Sequence, residues 1–169
     1  MAGVKIRDAV EEDLPAIVEI YNSTVPSRMV TADPEPVSIE SRRAWFCEHD
    51  PRTRPIWVAE VGGEVAGWFS FENFRKKPAY YATAEVSVYV SEKHRRKGIG
   101  RRLLQRAIHR APELGLKTLT GGIFGHNEPS LRLFEDLGFE RWAFYPRVAE
   151  LDGVERDLVV LGLRLDTKG

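Results

Sequence analysis

Sulfur is scarce in this sequence. Cys47 is the single cysteine, so neither an intramolecular disulfide framework nor a cysteine-rich metal site can be built. The histidines His49, His94, His109 and His126 show no metal-ligand spacing such as His-Glu-x-x-His. Long apolar runs are missing: nothing approaches the ~18 residues of a membrane span, and the N-terminal stretch has no apolar signal-peptide core. Net charge is also absent, with 25 basic against 25 acidic residues, so no global field points to nucleic acid. Repeats, low-complexity segments and linkers are lacking. These absences lead us to expect one domain over residues 1–169, cytoplasmic, with no membrane and no nucleic acid among its partners.

What is present centres on Thr83–Leu104. Ala84, Val86, Val88 and Val90 alternate with Glu85, Ser87 and Tyr89, the period of a strand with one face in a core. Ile99, Leu103, Leu104, Ala107, Ile108 and Ala111 follow at helical spacing. Between them Gly98 and Gly100 stand where a helix should begin, although glycine costs about 1 kcal/mol in a helix relative to alanine. A tight turn with φ > 0 is one reason for them. The other is a ligand lying against bare main-chain N–H groups, at a helix start that already favours anions. Lys93, Arg95, Arg96, Lys97, Arg101 and Arg102 crowd the same turn. Such a cluster at a helix N-terminus is disfavoured unless an anion joins it, so we read a phosphate site rather than a solvated basic face. The P-loop run Gly-x-x-x-x-Gly-Lys-Ser/Thr is absent, and Leu103 stands where a dinucleotide fingerprint needs its third glycine.

Along the rest of the chain, Val4–Arg7 reads as a strand. Glu11, Glu12 and Asp13 open a helix whose buried stripe is Leu14, Ile17, Val18 and Tyr21. Residues 25–37 form a loop long enough to suggest binding. Ser38 caps a second helix. Ile56–Val61 and Glu64–Phe71 form a hairpin about Gly62-Gly63. Pro112 predicts a kink or stop near Ala111. Lys117–Phe124 is a strand whose Gly121-Gly122 imply a bulge or a close backbone approach. Asn127 caps a short helix ending at Gly138. Phe139–Phe144 is a strand, and Arg147–Leu151 with Val154–Leu165 form a hairpin about Asp152-Gly153. The pattern predicts an α/β fold with a mixed sheet.

The run Arg95-x-x-Gly98-x-Gly100 after a valine-rich strand resembles the acyl-CoA loop of the GNAT N-acetyltransferase superfamily. Asn127-x-x-Ser130 followed by Leu133-Phe134-Glu135-x-Leu137-Gly138-Phe139 resembles the second half of its CoA site. Ile20-Tyr21-Asn22, Arg43-Ala44-Trp45-Phe46, Phe74-Arg75 and Glu85-x-Ser87-Val88-Tyr89-Val90 add a likeness to the phosphinothricin and methionine sulfoximine acetyltransferase group. The resemblance implies a GNAT-like mixed, mostly antiparallel central sheet flanked by helices. It also implies acetyl-CoA as donor and a small-molecule amine, an amino acid or analogue, as acceptor, in a homodimer. Acetylation of protein N-termini or lysines, or non-catalytic binding of acyl-CoA, are the alternatives.

Under that resemblance, main-chain groups of Val88, Tyr89 and Val90 hold the pantetheine. Arg95, Arg96, Lys97, Gly98, Ile99, Gly100 and Arg101 hold the phosphates, with Asn127 and Ser130 completing the cofactor site. Glu85 matches the family's base, against the plainer reading of a solvent-facing glutamate on a half-exposed strand. Arg75 either clamps a substrate carboxylate or is a solvated loop arginine. Tyr21, Asn22, Arg28, Thr31, Val86 and Ser87 complete the acceptor side. Two departures stand out. Phe134 occupies the place where many GNAT enzymes carry a tyrosine acid, and we expect it to pack in the core. The final hairpin reads Leu151-Asp152-Gly153-Val154-Glu155 in place of Lys-Phe-Gly-Arg-Trp, so that wall is acidic.

Overall fold

The computed structural model describes residues 3–165. Its elements are β1 (Val4–Asp8), α1 (Leu14–Thr24), α2 (Ile39–Cys47), β2 (Ile56–Val61), β3 (Glu64–Asn73), β4 (Thr83–Val90), α3 (Ile99–Arg110), β5 (Thr118–Phe124), α4 (Glu128–Asp136), β6 (Glu140–Leu151) and β7 (Val154–Arg164). The strands form one seven-stranded sheet in the order β1-β2-β3-β4-β5-β7-β6. Every neighbouring pair is antiparallel except β4 and β5.

Period-2 alternation sorts the side chains into two cores. On one face, Trp57, Phe69, Phe71, Ala84 and Val86 meet Ile99, Leu103 and Leu104 of α3 and Leu131 and Phe134 of α4. On the other, Ile56, Val58 and Trp68 meet Ile17, Ile20 and Tyr21 of α1, with Trp45 and Phe46 of α2 packed beside them. Both tight hairpins use two successive residues at positive φ, Gly62-Gly63 and Asp152-Gly153, the backbone that matches the twist of paired strands.

Two local expectations change, and a third resolves to one of its alternatives. Glu11–Asp13 is a separate 3-10 turn rather than the first turn of α1. Asp13 folds back to accept from Val10 N (2.8 Å) and takes a two-point pair from Arg7 (2.7 and 2.9 Å). Residues 140–151 form one strand instead of two, because β6 is the sheet edge, where a proline removes no ladder bond. Pro146 and Arg147 (φ 52°) are taken up in a register shift between Tyr145 and Ala149. Gly121 sits in unbroken register, so it marks a close approach rather than a bulge. The proline after α3 does end it: the helix stops at Arg110 and continues as a 3-10 turn.

Candidate active site

The site begins where two strands part. β4 pairs with β5 only through Thr83, Glu85 and the residue between them. Beyond Glu85, β5 keeps its pairing with β7 as far as Phe124, while β4 runs on to Val90. The edge of β4 that faces β5 is therefore left without a strand partner over residues 86–90, an edge to which an extended ligand can add.

α3 starts at the mouth of this opening. Gly98 is its N-cap with φ 78°, and a Cβ there would meet nothing within 4 Å. Glycine is thus required by backbone conformation, not by space. Arg96 also has positive φ (63°), so the turn bends its main chain sharply just before the helix, as anion-binding concavities do. Arg95, Arg96 and Lys97 are exposed. Ile99 is buried in the core, so only its main chain is offered to a ligand. Gly100 brings the helix against Val88 and Val90, with its Cβ position 3.6 Å from each. Arg101 pairs with Asp136 on α4 (3.1 Å). Asn127, buried, accepts from Ser130 N (3.3 Å) and donates to Met29 O (3.1 Å). A helix start, a glycine turn and an open strand edge fit the diphosphate and extended arm of an acyl-CoA.

The opposite face of β3 and β4 carries a second set of side chains. Their register sets Trp68 against Tyr89, Ser70 against Ser87, and Glu72 against Glu85. Trp68 and Tyr89 stack at 4.6 Å between centroids, and Tyr21 lies tilted against Tyr89 at 5.3 Å. Burial pushes the Tyr89 phenol far above its ordinary range. Tyr21 is bonded to Thr31 and Asp33, and Arg42 lies over its ring at 4.7 Å. Val86 points the other way, into the core.

Glu85 is open to solvent at its tip, but partial desolvation by the surrounding protein pushes its carboxyl above the ordinary value. Glu72 pushes it further, while Arg75 pulls it back. Arg75 is exposed, with its guanidinium over the Phe74 ring at 4.1 Å. Asn22 clips the far end of the 25–37 loop through two bonds to Val37 (both 2.8 Å). Arg28 reaches Asp152 in the β6–β7 turn (2.7 and 3.2 Å). His126 donates to Arg28 O (3.0 Å), so the loop is strapped over the β5–α4 junction.

Sequence reasoning overlooked Glu72, Trp45 and His49 as members of the site. Trp45 Nε1 donates to Glu72 Oε1 (2.9 Å), and His49 Nε2 lies 3.0 Å from the same oxygen. The register of the β3–β4 pairing carried the signal, since whatever stands opposite Glu85 shares its face. Phe134 packs in the core as expected, against Phe139 at 4.9 Å.

Comparison with known proteins agrees with this geometry. A Bacillus subtilis (strain 168) protein named "Putative phosphinothricin acetyltransferase YwnH" is 53% identical over 161 residues, which is 95% of this chain and 98% of that one. The L-methionine sulfoximine/L-methionine sulfone acetyltransferase of Pseudomonas aeruginosa is 38% identical over 165 residues, 97% of this chain and 96% of that one. A GNAT superfamily phosphinothricin acetyltransferase from Sinorhizobium meliloti, crystallised in complex with AcCoA, superposes with TM-score 0.91 at 31% identity, over 96% of this chain and 88% of that one. A sequence model of the acetyltransferase (GNAT) family matches residues 14–139, and with this fold and this parted pair of strands the chain belongs to that family.

Proposed function

We propose that the protein transfers the acetyl group of acetyl-CoA to the amine of a free amino acid or amino-acid analogue. The observation that carries this is the parting of β4 and β5 beyond Glu85, with the start of α3 at its mouth. Relatives named for methionine sulfoximine and phosphinothricin support the acceptor class. When bound, acetyl-CoA supplies an activated acetyl thioester.

The chain's own groups do the rest. Main-chain N–H groups of the 96–101 turn and the start of α3 hold the phosphates, joined by Arg95, Arg96 and Lys97. Val88, Tyr89 and Val90 would hold the extended arm through their main chain, and an N–H group of that edge would polarise the thioester carbonyl, a contribution of about 3 kcal/mol for a well-set donor. Glu85 accepts a proton from the acceptor's ammonium, because only the neutral amine attacks, and its raised pKa suits it to that role. Arg75 receives the acceptor's carboxylate. A thiol of pKa about 8.5 leaves without a strong acid, so the loss of tyrosine at Phe134 is tolerated. The strap over the β5–α4 junction favours a small acceptor over a protein chain.

Trp142, Phe144, Tyr145 and Val148 are exposed along the edge strand β6. Such an edge calls for a cover, which supports a homodimer. The free, exposed thiol of Cys47 suits a reducing, cytoplasmic setting. The whole chain then acts as one catalytic domain.

A thiol-release assay over a panel of amino acids and analogues tests the activity. At least one should turn over, and E85Q should lower kcat by about 100-fold or more with acetyl-CoA affinity unchanged by calorimetry. Tight acetyl-CoA binding with no small amine acetylated would sink the proposal.

A further inference from the structure

Glu72 and Glu85 face each other across β3 and β4, and like charges set directly opposite destabilise a sheet. Glu72 is fixed there. Its Oε1 takes bonds from Trp45 Nε1 (2.9 Å) and His49 Nε2 (3.0 Å). Each hydrogen-bond partner of the His49 ring is an acceptor: Trp45 O lies 2.7 Å from Nδ1, and Phe71 O and Glu72 Oε1 lie 3.0 Å from Nε2. Two donating ring nitrogens suit this set of partners best, so the surroundings favour the imidazolium form of His49 and raise its pKa. The histidine side chain is buried, at 7% exposure, whereas Glu72 keeps 33%. Among the described residues, Glu72 Oε2 has no hydrogen-bond partner.

We propose that Glu72 is a second acidic group of the acceptor site, with Oε1 anchored by Trp45 and His49 and Oε2 free to accept an N–H of the acceptor's ammonium beside Glu85. This rests on the acetyl-transfer function proposed above. Two carboxylates and one guanidinium match a zwitterionic amino acid: the ammonium lies between Glu72 and Glu85, and the carboxylate lies at Arg75. Glu72 thus selects acceptors with a protonated amine, while Glu85 takes the proton. Trp45 and His49 are positioning residues, acting only through Glu72.

The groups facing Glu85 are Glu72 from β3, Arg75 from the loop after it, and the neutral Thr120 opposite it on β5. Neutralising Glu72 therefore has a predictable sign. In E72Q, Glu85 loses a neighbour that raises its pKa, so it ionises at lower pH and the acid limb of kcat/KM moves down.

The test titrates the Glu85 carboxyl carbon by NMR in the full-length protein, without substrate, in wild type and E72Q. We expect a fall of about half a pH unit or more in the variant. In the wild type the His49 ring nitrogens should keep the imidazolium signature to higher pH than an ordinary histidine does, and in E72Q that signature should be lost at lower pH. Kinetically, E72Q should raise KM for the acceptor about tenfold, with a smaller change in kcat, and E72D should recover part of it. If E72Q does not fold, H49Q loosens the anchor alone and should raise KM in the same direction. An unchanged Glu85 titration with unchanged KM would overturn the proposal and leave Glu72 as an anchor for α2. That result is distinct from a wild type that acetylates no amine, which defeats the proposed activity instead.

Discussion

Arg28 and Asp152 are 124 positions apart in sequence, yet the guanidinium meets the carboxylate at two points, 2.7 and 3.2 Å. Arg28 holds φ 56° to do so, and Asp152 sits at φ 55° in its turn, so both ends are unusual backbone. The pair ties the 25–37 strap to the β6–β7 hairpin, at the place where the sequence departs from its resembled group. Asp152 is 63% exposed, so the pair adds little to global stability. Its effect should be on the strap. D152N should raise KM for the acceptor about fivefold, near 1 kcal/mol, with acetyl-CoA affinity and melting temperature almost unchanged. Equal losses in both affinities would show that the strap does not border the acceptor.

The glycine turn makes a paired prediction. G98A adds a methyl that touches nothing within 4 Å but must hold φ 78°, so the cost is conformational, about 1 kcal/mol. R96G has the opposite sign for the backbone, since Arg96 already sits at φ 63°. Yet it removes a cation from the phosphate site. Denaturant unfolding should rank R96G above wild type and G98A below it, whereas calorimetry should rank both variants below wild type for CoA.

Much of this was legible beforehand because the signals are local. Alternation in Thr83–Val90 fixed which side chains of β4 enter the core, and Val86 is buried while Glu85 is open to solvent. Two-residue turns announced both hairpins. What stayed hidden depends on register and on contacts distant in sequence. Glu72 is an ordinary glutamate until pairing sets it opposite Glu85. Asn22 belongs to the resembled pattern, but its amide is engaged by Val37 within the loop it anchors. Residues 139–144 and 147–151 read as two separate strands because nothing nearby reveals that β6 is the edge.

His49 makes stability depend on pH with a definite sign. Burial pulls its pKa down, but bonds to the Glu72 carboxylate and to the Trp45 and Phe71 carbonyls outweigh this and hold it above the ordinary 6.5. A group raised on folding contributes its stability fully below the unfolded value and loses it as pH climbs through the folded one. The melting temperature should therefore fall as pH rises above about 6.5, and H49N should flatten that slope. An identical slope in H49N would assign the dependence elsewhere.

Gly121 shows how closely α4 approaches the sheet. A Cβ built on it would lie 2.7 Å from Phe134 Cε2 and 3.3 Å from Cδ2. Phe134 is buried at 5% exposure and packed against Phe139, so its ring has no open side to move toward. G121A should therefore cost about 2 kcal/mol through overpacking. Gly162 is the informative contrast. Its Cβ would come within 1.9 Å of the Trp142 ring, a harder clash on paper. Trp142, however, is 44% exposed on the edge strand and has solvent to swing into. G162A should lose less stability than G121A and should shift indole fluorescence to the red. Should G162A prove the costlier change, Trp142 must be held from outside the chain, as a partner subunit over β6 would hold it.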